Sequence, residues 1–411
     1  MAVPNDQPVL FELPPVFKVD AVVGQGAYGA VCRATLEKGG HVATVAIKKI
    51  PGYAKSGDTA KRVLREVLIL RHFQCVRQIV PTHMIFRPLS AEKDLYVVMD
   101  YVPSDISTFL KTSHQTTEGL VQYMVAQLLL GMVGMHKCGC AHRDLSTRNV
   151  LLNERSEVAI ADFGLARFFD PEERMSFGVV TQWYRAPEVV TDAQYDAKVD
   201  VWSCGVIMCE LFMGSHIFPG KPNDLADQLT KIMRIVGVPD KNLFTKPGAT
   251  LSTSSDNAKR YVLRVCNGSN PYKRTLFETG GPRFKLEPSA AAKDLLLQLL
   301  TFDPDQRPSA REALAHPWFE SLRPYITENL KEIDAEVQPF KDTSLLGLQT
   351  TGGTATATGG VGEATDSLVA KIEELCPVWN AELDAAAAEI AAALAGEGEE
   401  GDDEDAPKAA A

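Results

Sequence analysis

The sequence predicts an α+β fold, and three observations carry that prediction. Val31-Cys32-Arg33-Ala34-Thr35-Leu36 and His41-Val42-Ala43-Thr44-Val45-Ala46-Ile47 read as two strands joined through Gly39-Gly40, the signal of a tight hairpin. Asp58 to Phe73 has helical spacing, with Val63, Val67 and Leu70 on one side and Asp58 or Thr59 available as N-cap. Val121 to Met135 reads as a buried helix. It falls short of the roughly 18–20 apolar residues that a bilayer demands and contains Gln122 and Gln127, so no membrane insertion is expected.

Immediately before the hairpin, Gly24-Gln25-Gly26-Ala27-Tyr28-Gly29-Ala30-Val31 follows the pattern GxGxxGxV. Glycines so spaced open dinucleotide-binding domains when a helix follows them. Here a strand follows. The glycines are therefore read as a hairpin folded over phosphates, with backbone amides approaching where a side chain would intrude. Val45-Ala46-Ile47-Lys48 ends the next strand in a lysine, which needs a carboxylate to hold it against phosphate groups. Glu66 on the helix that follows is the candidate, the alternative being a solvated glutamate paired with a neighbouring arginine.

Farther on stand His142-Arg143-Asp144-Leu145-Ser146-Thr147-Arg148-Asn149 and, thirteen positions after Asn149, Asp162-Phe163-Gly164. An Asp to take a hydroxyl proton, an Asn able to hold a metal and a second Asp for Mg²⁺ are what phosphoryl transfer from ATP requires. With the glycine loop and Lys48 upstream, the chain resembles a eukaryotic protein kinase from the strand before Gly24 to about Phe319. Within that family it is most similar to the mitogen-activated kinases, with features of the cyclin-dependent ones. The likeness lies in Leu64-Arg65-Glu66, Leu95-Tyr96-Val97-Val98-Met99-Asp100, Trp183-Tyr184-Arg185-Ala186-Pro187-Glu188, Phe218-Pro219-Gly220 and Ala313-Leu314-Ala315-His316-Pro317.

The resemblance implies a two-lobed fold: a small antiparallel β lobe with one key helix, then a large, mainly α-helical lobe. It implies ATP and Mg²⁺ as cofactors, protein substrates with Ser/Thr-Pro sites, and an upstream activating kinase. Asp144 would be the catalytic base, Asn149 and Asp162 the metal ligands, and Lys48 the phosphate contact held by Glu66. Val23, Gly24, Gly26, Gly29, Val31 and Ala46 would line the nucleotide, with Met99 as gatekeeper and Asp100 to Val102 as the hinge. Asp200 would brace the catalytic loop, Glu188 would pair with Arg307, Thr181 would bond Asp144, and Tyr28 matches an inhibitory site of the cyclin-dependent group.

Several positions depart from the pattern. Serine/threonine kinases carry a lysine two residues after the catalytic Asp, where this chain has Ser146; Arg148 is the candidate replacement, or else a surface arginine. The Thr-x-Tyr of mitogen-activated kinases is replaced by Ser176-Phe177-Gly178, and Gln182 stands where an arginine would help bind the phosphotyrosine. Arg65, Arg143 and Arg167, which in the family converge on a phosphothreonine, remain. One phosphate on Ser176 is accordingly expected to activate the chain. In the alternative Ser176 stays unmodified and carboxylates such as Glu172 or Glu173 hold the arginines. An acidic docking motif is missing after the histidine-proline pair, where Arg323-Pro324 stands instead.

The 411 residues, 45% of them hydrophobic, leave ample chain for such a core, and a net charge of −11 without any Lys/Arg-rich block argues against a nucleic-acid partner. Eight cysteines without paired CxxC spacing point to reduced thiols and a cytoplasmic, possibly also nuclear, location. The expected organisation is an extension over 1–16, the kinase domain over 17–319 and a wrap onto it over 320–349. A Gly/Thr/Ala linker over 350–366, a helical segment over 367–396 broken at Pro377, and an acidic tail over 397–411 complete it. Trp379 is a candidate anchor for a partner or for the kinase itself; plain alanine helix propensity is the alternative.

Overall fold

The computed structural model describes residues 9–26, 29–88, 90, 93–112, 116–168, 182–269, 271–340, 360–378 and 380–396. In chain order its strands are β1 (Phe17–Gly26), β2 (Gly29–Lys38), β3 (His41–Ile50), β4 (Thr82–Phe86), β5 (Leu95–Asp100), β6 (Ser104–Asp105), β7 (Cys140–Ala141), β8 (Val150–Leu152), β9 (Val158–Ile160) and β10 (Arg167–Phe168). Its helices are α1 (Gly57–His72), α2 (Ile106–Thr112), α3 (Glu118–Lys137), α4 (Pro187–Val190), α5 (Lys198–Met213), α6 (Leu225–Val236), α7 (Asp256–Cys266), α8 (Ala290–Leu299), α9 (Ala310–Leu314), α10 (Arg323–Glu336), α11 (Gly360–Leu375) and α12 (Ala381–Gly396). They form two compact units: an antiparallel β unit with one internal helix plus the C-terminal helices, and a mainly helical unit.

The first unit is built on a five-stranded antiparallel sheet in the order β1-β2-β3-β5-β4. Lys38 pairs with His41 across a two-residue turn, and Gly39 and Gly40 take φ of 64° and 84°, which residues with a side chain adopt reluctantly. The hairpin is where the sequence put it. The helix α1 starts slightly earlier than expected: Ser56, in extended backbone, accepts the Thr59 amide at 3.2 Å and is the N-cap, so Asp58 falls inside the first turn. Its buried positions Val63, Leu64, Val67 and Leu70 recur at helical spacing.

The C-terminal helices belong to this same unit. Helix α11 begins at Gly360, so residues 360–366 are helical where the composition predicted linker. Glycine and threonine are poor helix formers, but packing of the following turns against α1 overrides propensity. Leu368, Ile372 and Cys376 are buried, and burial of each large aliphatic side chain contributes on the order of 1.5–3 kcal/mol. Helix α12 lies on β2 and β3, with Ala387 and Ala391 fully buried in one core with Cys32, Leu36, Val45 and Phe86. Polar contacts finish the seam. Arg87 donates its amide to Pro377 O at 2.9 Å and Nε to Cys376 O at 2.7 Å, Arg71 Nη2 reaches Leu375 O at 2.5 Å, and Glu373 takes Tyr53 Oη at 3.0 Å and Lys93 Nζ at 2.5 Å. The tail thus anchors on its own kinase unit through aliphatic and alanine positions; Trp379 lies outside the described residues.

The second unit is helical around α3 and α5. Helix α3 is 20 residues long, longer than its apolar run, and is long and apolar enough by composition to cross a membrane; its residues from Val121 to Met135 are largely buried in this unit's core. Nearly all of α5 is buried as well. Helix α10 packs on α3, with Asn329 Oδ1 taking Gln78 Nε2 at 3.1 Å and Glu332 taking Arg77 Nη2 at 2.8 Å. The chain after α10 stays against this unit as far as Phe340, whose ring lies 4.8 Å from that of Phe168. All eight cysteines are free, and among the described residues no cluster of three His, Cys, Asp or Glu side chains has the makings of a metal site.

Candidate active site

The expected site residues fall in both units, and each half is built independently. In the first, β2–β3 register sets Val31 opposite Lys48, and β3–β5 register sets Ala46 opposite Met99. Ala46 and Met99 are buried, whereas Val23 on β1 is exposed. Gly29 has a φ of 143°, and a Cβ there would meet Lys49 O at 2.1 Å, so the fold itself requires this glycine. No such clash exists at Gly24 or Gly26. Their lack of a side chain leaves the β1 backbone open to approach from outside. Ala27 and Tyr28 lie outside the described residues.

Lys48 Nζ meets Glu66 Oε1 at 2.5 Å, as the spacing of α1 predicted, and the pair is largely shielded from solvent. The adjacent Lys49 goes elsewhere, to Asp94 at 2.9 Å and to Leu10 O at 2.7 Å. Strand alternation therefore separates the two lysines. Beyond Met99, the Asp100 amide donates to Pro81 O at 3.1 Å and its carboxylate meets His83 Nε2 at 2.6 Å. The Asp100 N–H is thus already used inside the fold, a limit on the hinge expectation for Asp100 to Val102. Arg65 sits half-buried on α1.

In the second unit, the loop between β7 and β8 carries His142 to Asn149. It is pinned from below by Asp200 of α5, a fully buried carboxylate that accepts the amides of His142 at 2.8 Å and Arg143 at 2.9 Å and also meets His136 Nε2 at 3.0 Å. Burial alone would push Asp200 up, but the hydrogen bond and charge from His136 outweigh it and hold its pKa below the ordinary value. The pinned loop holds Arg143 at a φ of 69°, a left-handed backbone that costs a branched or long side chain about 1–3 kcal/mol. Asp162 is left-handed too, at 65°.

Asn149 Nδ2 donates to Asp144 O at 2.7 Å and to Asp144 Oδ2 at 3.2 Å, which ties base and metal-ligand candidates into one turn. Burial, and then the charge of Asp162, push Asp144 up to about 7, against the hydrogen bond from Asn149 and the charge of Arg185. A carboxylate with that affinity for a proton is suited to take one from a hydroxyl near neutral pH. Half-buried Asp144 and exposed Asp162, with the Asn149 amide bonded to Asp144, are hard oxygen donors of the kind that fits a divalent cation such as Mg²⁺.

Glu188 and Arg307 pair at 2.7 and 3.0 Å with both side chains buried, and Arg307 also donates to Thr301 O and Lys198 O and stacks over Trp202. Arg143 and Arg167 act on the same residue, Tyr195, whose ring lies 5.7 Å from the Arg143 guanidinium. Ser176 and Thr181 lie outside the described residues. Arg148 is exposed, while Ser146 is buried. Sequence reasoning missed Tyr195, His136 and the chain Thr147 Oγ1–Tyr184 Oη (2.9 Å)–Glu210 Oε2 (2.7 Å), because these partners come together only through tertiary folding. Glu210 also accepts His216 Nδ1 at 3.0 Å.

A protein kinase domain matches residues 17–319. The chain is 38% identical over 336 residues to mitogen-activated protein kinase 13 of Mus musculus, covering 81% of this chain and 84% of that one. It is 38% identical over 303 residues to mitogen-activated protein kinase 6 of Oryza sativa subsp. japonica, covering 73% and 76%. Family match, two-unit architecture and braced catalytic loop agree, and the chain belongs to the protein kinase family as a serine/threonine kinase of the mitogen-activated type.

Proposed function

We propose that the chain transfers the γ-phosphate of ATP, with Mg²⁺, to serine or threonine followed by proline on intracellular signalling proteins. The observation that carries this reading is the turn in which Asn149 holds Asp144 beside Asp162 over the buried Asp200. In it Asp144 orients the substrate hydroxyl and takes up its proton as the oxygen attacks. Asn149 and Asp162 would hold Mg²⁺, which when bound neutralises charge on the phosphate oxygens. Lys48, steadied by Glu66, supplies the cation for the α- and β-phosphates, and the side-chain-free β1 backbone at Gly24 and Gly26 gives phosphates room. Val23, Val31, Ala46 and Met99 supply the apolar contacts to adenine, with Asp100 and Val102 contributing backbone groups.

Regulation in this reading comes from an upstream kinase that adds one phosphate to Ser176, read by Arg65, Arg143 and Arg167. The free cysteines support a reducing, cytoplasmic setting. Transfer of label from γ-labelled ATP to a Ser-Pro peptide is the test, run with Mg²⁺, with chelator, and with Asp144→Asn. Wild-type transfer that stops with chelator and falls about 10²–10⁴-fold in Asp144→Asn is expected. A wild type that binds ATP yet transfers nothing, even after phosphorylation of Ser176, would overturn the reading in favour of a binding module.

A further inference from the structure

Helix α3 lets a neighbouring stretch of chain lie directly on its backbone. A Cβ on Gly131 would meet Gln78 Cβ at 3.0 Å, and one on Gly134 would meet Val76 Cγ2 at 2.9 Å, so the two glycines make the close approach possible. The stretch therefore runs antiparallel to α3, with Gln78 on Gly131 and Val76 on Gly134. Cys138 caps α3 four residues after Gly134, on the same face and about 6 Å farther along the axis. Cys75 precedes Val76 by one residue. Continued by that one step, the register that seats Val76 on Gly134 brings Cys75 to Cys138.

The surroundings of the two thiols agree with this placement. Neither is in a disulfide; Cys75 is exposed and Cys138 half-buried. Burial pushes Cys138 up to about 11, the Lys137 ammonium opposes the rise, and charge on Cys75 adds to it. Burial raises Cys75 as well, against its own amide and Lys137 and with the charge of Glu336. One cation thus faces both sulfurs. The Cys138 sulfur also fastens the chain that follows α10: its S–H donates to Gln338 O at 3.1 Å, and the Phe340 amide donates to it. The Phe340 ring lies on Phe168 of β10, and β10 pairs with β7, where Phe168 is opposite Cys140.

We propose that Cys75 and Cys138 are a redox-sensitive pair which a hydroperoxide closes into a disulfide, and that closure unfastens the segment from Gln338 to Phe340. The exposed Cys75 thiolate attacks a peroxide oxygen, the O–O bond breaks, and the departing hydroxide is protonated to water, leaving a sulfenic acid on Cys75. The Cys138 thiolate then attacks the Cys75 sulfur; the S–S bond forms, the S–O bond breaks, and hydroxide leaves as a second water. Two thiols lose two electrons and two protons, and one hydrogen peroxide is reduced to two waters. Both thiols are mostly protonated near neutral pH, so the pair closes slowly and registers sustained oxidant. In the disulfide Cys138 has no proton to give Gln338 O, and its sulfur turns to Cys75 and away from the Phe340 amide.

The test treats the full-length chain with hydrogen peroxide, caps the remaining thiols by alkylation and maps the peptides by mass spectrometry without reductant, with fragmentation to separate Cys138 from Cys140. Cys75→Ser, Cys138→Ser and Cys138→Ala are run alongside, with Tm and hydrogen exchange at the Phe340 amide measured before and after oxidation. A Cys75–Cys138 link is expected in wild type, reversed by dithiothreitol and absent from both serine variants. Exchange at Phe340 should rise about fivefold on oxidation of wild type, the size of one lost hydrogen bond, and stay unchanged in oxidised Cys75→Ser. Cys138→Ala should show the faster exchange without oxidant. Cys75 halted at the sulfenic acid, either cysteine joined to a different one, or a link formed only where the cooperative thermal transition is lost would each overturn the pair. A Cys75–Cys138 link with Phe340 exchange unchanged would overturn the unfastening.

Discussion

In the second unit, Asp144 stands on a loop whose backbone is bonded to a buried carboxylate, and the segment after it is clamped by the buried Glu188–Arg307 pair. In the first unit, Lys48 relies on one carboxylate of α1, and α1 in turn relies on apolar packing against α11. One half-site is held by enclosed polar bonds, the other by side-chain volume with a polar rim. Polar bonds inside a protein fix direction and fail abruptly when one partner is removed, whereas packing degrades in proportion to the volume lost. The half that bears Asp144 is thus rigidly specified, and the half that bears Lys48 is adjustable from its outer surface.

The comparison is broken most severely at Glu188. Glu188→Ala leaves the Arg307 charge buried without its carboxylate, and about 3–5 kcal/mol of stability should be lost in urea unfolding. A loss below about 1 kcal/mol would show that the polar bonds of this unit are not its fastening. In the first unit, Ile372→Ala removes a fully buried side chain of α11 and should cost about 2–4 kcal/mol. Ile372→Val should cost only about 0.5–1.5 kcal/mol, a gradation that separates packing from all-or-none bonding. Smallest is Lys38→Ala, which deletes a partly exposed ion pair with Asp384 at 2.5 Å; a change within about 1 kcal/mol is expected. A larger effect would mean that α12 is held at its rim and not through Ala387 and Ala391.

The same contrast explains what could be read in the sequence. The catalytic loop is legible because Asp144, Asn149 and their neighbours act within one turn, and Glu66 because helical spacing puts it on the buried side of α1. The N-cap was misplaced by two or three residues because Ser56, Asp58 and Thr59 all have capping side chains, and only the extended backbone at Ser56 decides among them. The docking of α12 was hidden for a different reason. Its buried positions are alanines, which give the same signal whether they are a close-packed seam or simply good helix formers. The tie between the catalytic-loop segment and the segment of Tyr184 depends on Thr147 and Tyr184 meeting across 37 residues of chain. No local pattern encodes such a meeting.

The placement of α12 has a consequence for biosynthesis. The β2–β3 face is made well before the helix that covers it, because α12 follows those strands by a long stretch of chain. At 5–20 residues per second, the roughly 330 residues between Ile50 and Ala381 take about 15–65 s to translate. For that interval Leu36, Val45 and their neighbours wait for their C-terminal cover, so the nascent chain presents an apolar sheet face to ribosome-associated chaperones that the finished protein does not.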